Sequence, residues 1–442
     1  MLLGTQRINT RGHLEIGGCD TVELAREFST PLYVMDEATI RAKARELREA
    51  YATRYPDSLM LFASKAFMTM AICRIMDEEG YGLDLSSGGE AYTAMKADFP
   101  MERTYLHGNN KSVWELEMAL DAGVGRLVLD NEREMDLLQE IAASRGASQQ
   151  VNVLLRVAPG IKPETHSYIQ TGQLDTKFGL GITTGCAMRG LAKALRLPNL
   201  SVVGIHCHIG SNIMGLDSFE MATRMMIRFA AQVRDELGLT IRELNLGGGV
   251  GVRYKSGDQP PSPDAYAEAV ITGLHDELEK VGLPHPRLLQ EPGRYITGEA
   301  GTTLYTIGTI KDVPNIRRFV SVDGGMSDNP RPALYEAKYE AIVANKPDAH
   351  ITQTVRLAGK HCECDNLIME LPLPNVEPGD ILAVQTTGAY NYTMSSNYNR
   401  FPRPAVVLVN DGNAEVIVER ETLDDLLAYD RIPDRLRRCV KA

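Results

Sequence analysis

Eight short apolar runs recur along the first two thirds of this chain, at residues 59–63, 82–85, 104–107, 126–130, 151–156, 202–206, 242–246 and 287–291. Most are separated by stretches of helical period such as 112–123 and 131–144. Apolar runs of this length read as buried strands, and strand-helix units in a series of eight predict a (β/α)8 barrel. From residue 301 onward the pattern changes to β-rich segments with turns. Ala405-Val406-Val407-Leu408-Val409, then Asp411-Gly412, then Ala414-Glu415-Val416-Ile417-Val418 reads as a hairpin. Pro31-Leu32-Tyr33-Val34-Met35 is a ninth strand that the barrel does not need. The 442 residues are therefore expected to form an α/β protein with a TIM-like barrel over 36–300, a C-terminal β domain over 301–442, and residues 1–35 joining that β domain.

The net charge of -11 is spread along the chain with no basic run, which argues against nucleic acid or an anionic membrane as the main partner. A small anionic or zwitterionic ligand fits better. Met1-Leu2-Leu3-Gly4-Thr5-Gln6-Arg7 has no charged-then-apolar signal pattern, and no stretch approaches the roughly 20 apolar residues of a membrane helix, so a soluble cytoplasmic protein is expected. The seven cysteines, Cys19, Cys73, Cys186, Cys207, Cys362, Cys364 and Cys439, are odd in number and scattered, which reads as reduced thiols rather than a disulfide scaffold.

The polar residues of interest fall at the C-terminal ends of the expected strands, where a barrel of this kind keeps its chemistry. Leu61-Phe62-Ala63-Ser64-Lys65-Ala66 reads as a buried strand ending in one lysine. A desolvated lysine calls for a lowered pKa, a carbonyl partner in a Schiff base, or a paired carboxylate. Asp84 ends the second strand, His107 the third, Arg156 the fifth, and His206-Cys207-His208-Ile209-Gly210-Ser211 the sixth. Leu246-Gly247-Gly248-Gly249-Val250-Gly251 ends the seventh, and Glu291-Pro292-Gly293-Arg294 the eighth. Each feature also has an ordinary reading: glycines make plain turns, His208 suits a satisfied core position, and Glu291 suits a rim ion pair with Arg294. Their coincidence on one rim favours a phosphate-bearing cofactor, with the glycine N–H groups as a phosphate cradle and the glutamate facing a ring nitrogen.

With these motifs in place the chain resembles the fold-type III pyridoxal-phosphate decarboxylases, and among them the diaminopimelate decarboxylase family. The general marks are the lysine, His208-Ile209-Gly210-Ser211, the glycine triplet and Glu291-Pro292-Gly293-Arg294. More specific are Val322-Asp323-Gly324-Gly325-Met326 running into Arg331-Pro332-Ala333-Leu334-Tyr335, then Gly359-Lys360-His361-Cys362-Glu363, then Gly388-Ala389-Tyr390. The resemblance implies pyridoxal 5'-phosphate bound to Lys65 as a Schiff base, with Asp84 beside it and His208 stacked on the ring. It places Ser211, Gly247, Gly248, Gly249, the segment Glu291, Pro292, Gly293 and Arg294, and Tyr390 around the phosphate and ring, with Glu291 on the pyridine nitrogen. It assigns the substrate's distal carboxylate to Arg294, Arg331 and Tyr335, its distal ammonium to Glu363, and the proton donation to Cys362, with Tyr390 also at the substrate. It further implies a homodimer in which the Cys362 and Glu363 loop completes the neighbour's site.

The chain departs from the family after Glu363: Cys364-Asp365 follow directly, where a serine and a small residue usually precede the aspartate. Asn391 and Tyr295 are also less usual choices. His361, Cys362, Cys364 and Asp365 admit a metal-ligand reading, set against which no second ligand pair stands at zinc-type spacing, so no metal is expected. A non-catalytic cofactor carrier would not need the β domain or Cys362. A racemase would face the ring nitrogen with a cation rather than Glu291. A decarboxylase of ornithine, arginine or lysine differs only at the distal pocket and is the nearest alternative.

Overall fold

The computed structural model describes residues 2–146, 148–161 and 176–437; Cys439 lies outside them. The eight expected strands form at Ser58–Ala63, Gly82–Leu85, Thr104–Leu106, Arg126–Leu129, Val151–Ala158, Leu200–His206, Glu243–Asn245 and Arg287–Gln290. Each pairs in parallel with the next, and Arg287–Gln290 returns to Ser58–Ala63, which closes the barrel. Side chains alternate across the strands: Leu61, Tyr105, Val128, Leu154, Val203 and Leu289 form one cluster, while Met60, Phe62, Leu127 and Leu155 join the larger core. At the end of the barrel where the strands begin, the Glu243 carboxylate receives the Arg126 guanidinium at 2.7 Å and the Tyr105 hydroxyl at 3.2 Å.

The helices begin where the sequence supplies a cap. Thr69, Ser87, Asn131 and Ser262 each accept a hydrogen bond from a backbone N–H in the first turn, and Ser112 with Glu115 makes a capping box. Such caps contribute about 1 kcal/mol each and fix where a helix starts, hence the length of the strand-end loop before it. No helix among the described residues is long and apolar enough to cross a membrane.

The second sheet is built around Gly301–Val313, which leaves the barrel and pairs antiparallel with Leu32–Asp36, Ile381–Gln385 and Arg317–Val322. Leu32–Asp36 also pairs in parallel with Ala405–Asn410. The hairpin forms between Ala405–Asn410 and Asn413–Val418, with positive φ at Asp411 (48°) and Gly412 (79°), the backbone that a two-residue turn requires.

Two sequence expectations need correction. The first barrel strand stops at Ala63, and Lys65 lies in the one-turn 3₁₀ segment Ser64–Ala66 with 41% of its side chain exposed, so it faces a cavity rather than sitting buried at a strand end. Arg156 does not end its strand: a two-residue strand, Leu180–Gly181, pairs with Val157 and Ala158 and extends the ladder beyond it.

The barrel and the second sheet meet where no side chain fits. A Cβ on Gly388 would lie 1.8 Å from the Thr297 carbonyl oxygen, and one on Gly301 would lie 2.2 Å from the Gly388 Cα. Gly388→Ala is therefore expected to destabilise the protein by at least about 1–3 kcal/mol, the scale of overpacking, read as a lowered midpoint in urea unfolding. An unchanged midpoint would show that the junction is loose.

Candidate active site

The strand ends and the loops of the second sheet enclose a cavity of about 630 Å³, with Lys65, His208 and Arg294 on the barrel side and Arg331, Tyr335 and Tyr390 on the other. This is within the size range of small-molecule sites.

Lys65 pairs with Asp84, which is 1% exposed on the neighbouring strand. Desolvation alone would lower the lysine, but Asp84, Tyr390 and Glu291 outweigh it and hold the ammonium above its ordinary value. Below it Glu291 accepts from Asn245 Nδ2 at 2.7 Å and from His206 Nε2 at 3.2 Å, and His107 Nε2 stands 3.0 Å away. Burial would raise this carboxyl, yet His107 and His206 reverse the sign and hold it well below the usual carboxylate range. Burial pulls His206 down to about 4, so its ring is neutral and gives Glu291 an N–H. Desolvation, with Lys65 and Arg156 nearby, also keeps His208 neutral. These groups sit together because consecutive parallel strands deliver them to one rim. His107, His206 and Glu291 are also the one group of possible metal ligands found among the described residues.

The glycine triplet is a matter of close approach. A Cβ on Gly248 would come within 2.0 Å of the Glu291 carbonyl oxygen, and one on Gly249 (φ 118°) within 2.2 Å of the Gly210 carbonyl oxygen. Gly247 takes φ 69°, and its N–H is fixed by Asn245 Oδ1 at 2.9 Å, so the same asparagine orders the glutamate and the loop. Gly293 likewise lies against Ala63 and Ala66, which brings the Glu291-Pro292-Gly293-Arg294 segment under Lys65.

Arg294 and Arg331, each 6% exposed, stand side by side in this pocket. Among the described residues no carboxylate forms an ion pair with either guanidinium. Arg294 donates to the Ser211 hydroxyl at 2.9 Å and to the Tyr254 hydroxyl, and the Tyr390 ring lies 4.7 Å from its guanidinium carbon. Arg331 donates to Tyr254 at 2.9 Å and to Tyr339. Burial would raise the Tyr254 phenol, but the two guanidiniums outweigh it and lower it. Among the described residues the two buried cations are met by hydroxyls rather than by carboxylates, which leaves the site short of negative charge.

These features suit a phosphorylated pyridine aldehyde. They offer a lysine amine, a neutral imidazole beside it, an ionised carboxylate at the floor, and a loop too crowded for side chains next to Ser211 and Arg294. The Arg294 Nε is buried without a hydrogen-bond partner among the described residues.

The structure does not bring every expected residue together. Cys362 and Glu363 are exposed and do not line the cavity of their own chain. Cys362 N–H donates to Asn399 Oδ1 at 2.9 Å and Glu363 accepts from the Tyr398 hydroxyl at 2.7 Å. Cys364 is exposed as well, whereas His361 and Asp365 are buried and bonded to each other at 2.6 Å, so the four do not form a common ligand set. Tyr254, Tyr339 and Asn245 were missed by sequence reasoning, since a lone tyrosine or asparagine in a loop carries no periodic signal. The Asn391 departure bears on the site: it accepts from Tyr339 at 3.3 Å and donates to Asn329 at 2.7 Å, which backs Arg331.

Residues 37–298 match the model of the pyridoxal-dependent decarboxylase pyridoxal-binding domain. The chain is 48% identical to the diaminopimelate decarboxylase of Bacillus methanolicus, over 95% of this chain and 96% of that one. It is 46% identical to that of Bacillus subtilis, over 97% and 98%. Its structure is similar to that of the diaminopimelate decarboxylase of M. jannaschii in co-complex with L-lysine, with TM-score 0.92, 35% identity, and 99% of this chain and 100% of that one covered. A lysine/ornithine decarboxylase from Vibrio vulnificus, at 22% identity and TM-score 0.74 over 88% of this chain and 98% of that one, shares the fold. The chain belongs to the diaminopimelate decarboxylase family of pyridoxal-dependent decarboxylases.

Proposed function

We propose that this protein removes the carboxylate from one end of meso-2,6-diaminopimelate, giving L-lysine and carbon dioxide. The observation that carries the substrate assignment is the pair of buried arginines without a carboxylate partner among the described residues. Arg294 is turned toward Ser211 and suits the cofactor phosphate; Arg331, one tyrosine further out, suits a carboxylate at the far end of the substrate, with Tyr335 beside it. Ornithine, arginine and lysine would bring a cation to the same place, which Arg331 disfavours.

Pyridoxal 5'-phosphate, when bound, supplies the electron sink for the pair left by the departing carboxylate. Lys65 would hold the cofactor through its amine, with Asp84 keeping its nitrogen in place. Gly247, Gly248, Gly249, Ser211, Arg294 and Tyr390 would bind the phosphate, with Pro292 and Gly293 setting the segment that carries Arg294. His208 would bind the ring. Glu291, bound by Asn245 and kept ionised by His107 and His206, would hold a proton on the ring nitrogen. Cys362 delivers a proton to the carbon that lost carbon dioxide, and Glu363 meets the distal ammonium.

Because Cys362 and Glu363 are exposed and off their own chain's cavity, the reading includes a homodimer in which each subunit lends this loop to the other. It also divides the chain into a barrel, 36–300, and a β domain of 1–35 with 301–442. The pairing of Leu32–Asp36 with Gly301–Val313 supports that division.

Arg331→Ala is expected to cost diaminopimelate about 2–5 kcal/mol in kcat/KM, the scale for stranding a charge partner, and to narrow its advantage over lysine. The cofactor absorbance is expected to persist, while Lys65→Ala is expected to lose the Schiff-base band. Unchanged diaminopimelate turnover in Arg331→Ala would remove Arg331 as the selector. Cys362→Ala is expected to lower kcat by about 10²-fold or more, the scale of a lost general acid, and Cys364→Ala to have a milder effect. A larger loss at Cys364 would assign the proton donation to that thiol instead.

A further inference from the structure

The loop that carries Cys362 and Glu363 is closed on one buried carboxylate. Asp365 Oδ2 accepts from His361 Nδ1 at 2.6 Å and from the His361 N–H at 3.2 Å, and the Gly359 N–H donates to the Asp365 carbonyl at 2.7 Å. The spacing of four residues between His361 and Asp365 lets the shortened loop shut without the usual extra residue. The histidine ring is fixed from outside by Phe401, edge-on at 4.9 Å, and by Tyr398, stacked at 6.0 Å. With both polar side chains turned inward, Cys362 and Glu363 are left facing out.

The other oxygen of that carboxylate holds a different loop. Asp365 Oδ1 accepts the Met326 N–H at 2.8 Å, and the Lys360 N–H donates to the Gly324 carbonyl at 3.0 Å. Two glycines make room for the contact: a Cβ on Gly325 or on Gly359 would lie 2.0 Å from Asp365 Oδ2. From there the chain runs directly to the selector arginine. The Gly325 N–H is held by Asp328 Oδ1 at 2.9 Å, the Asn329 N–H donates to the Gly325 carbonyl at 2.8 Å, and Arg331 follows two residues later.

We propose that the His361–Asp365 pair is a positioning device for two half-sites at once, seating Arg331 in its own subunit's site and Cys362 in the partner subunit's site. The proposal rests on the roles given to Arg331 and Cys362 above. It predicts that a defect at Asp365 divides between the two sites of a dimer, binding suffering in one and proton delivery in the other.

Mixed dimers isolated through two affinity tags and loaded with pyridoxal phosphate separate the two effects. In a dimer of Asp365→Asn with Lys65→Ala, the one working site has its own altered Arg331 loop and a normal Cys362 loop. In a dimer of Asp365→Asn with Cys362→Ala, the working site has a normal Arg331 loop and receives the altered Cys362 loop. Against a Lys65→Ala with Cys362→Ala reference, the first is expected to show KM for diaminopimelate raised about tenfold with kcat within about twofold, the second kcat lowered about tenfold with KM kept. Asp365→Glu is expected to restore part of both. If both mixed dimers match the reference, or lose kcat and KM alike, the positioning role is overturned. An inactive reference overturns the shared-site reading, and the two-site claim with it. Should Asp365→Asn not fold, His361→Phe keeps the ring packing, removes Nδ1, and decides the question in the same comparison.

Discussion

Two buried guanidiniums with no carboxylate partner among the described residues set the terms for the rest of the site. Removing an arginine from water costs several kcal/mol unless an anion meets it, and here Arg294 and Arg331 are met by Ser211, Tyr254 and Tyr339. Tyr254 serves both, and the two cations lower its phenol. A ligand carrying negative charge at each arginine relieves this arrangement, and a phosphate with a distal carboxylate supplies both charges. The pocket is thus pre-set for the ends of the reacting assembly, while the central groups deal with the bonds that change.

The centre has the opposite polarity. Asp84 stands by Lys65, and Glu291 is held ionised beneath it by two imidazoles. A carboxylate as buried as Glu291 would ordinarily take up a proton, so His107 and His206 are what keep it available to a protonated ring nitrogen. Asn245 also fixes Gly247, so electron-sink chemistry and phosphate binding share one support. The barrel makes this economical, because parallel strands bring their ends to a common rim without long loops.

Much of this was legible in the sequence, for physical reasons. Strands buried on both faces leave continuous apolar runs, and all eight barrel strands could be placed to within a few residues. Residues fixed to strand ends, such as Asp84, His208 and Glu291, therefore had an address before any coordinates. What was not legible lies in loops from distant parts of the chain. Nothing in the run Val250-Gly251-Val252-Arg253-Tyr254 says that its tyrosine bridges two arginines, one of them 77 residues away. Likewise, the compact Cys364-Asp365 spacing looked like a disturbance, but His361 and Asp365 close the loop around themselves and present Cys362 outward. Lys65 was misjudged as buried because the open space it faces is closed by loops far along the chain, which carry Arg331, Tyr335 and Tyr390.

The central claim is that Arg331, rather than the cofactor machinery shared with other decarboxylases, chooses the substrate. Its most direct test is to compare kcat/KM of the unaltered, cofactor-loaded protein for meso-diaminopimelate, L-ornithine, L-arginine and L-lysine by carbon dioxide release. A site built to pair a distal carboxylate is expected to favour diaminopimelate by about 10³-fold or more. Comparable turnover of any of the three basic amino acids would contradict the account.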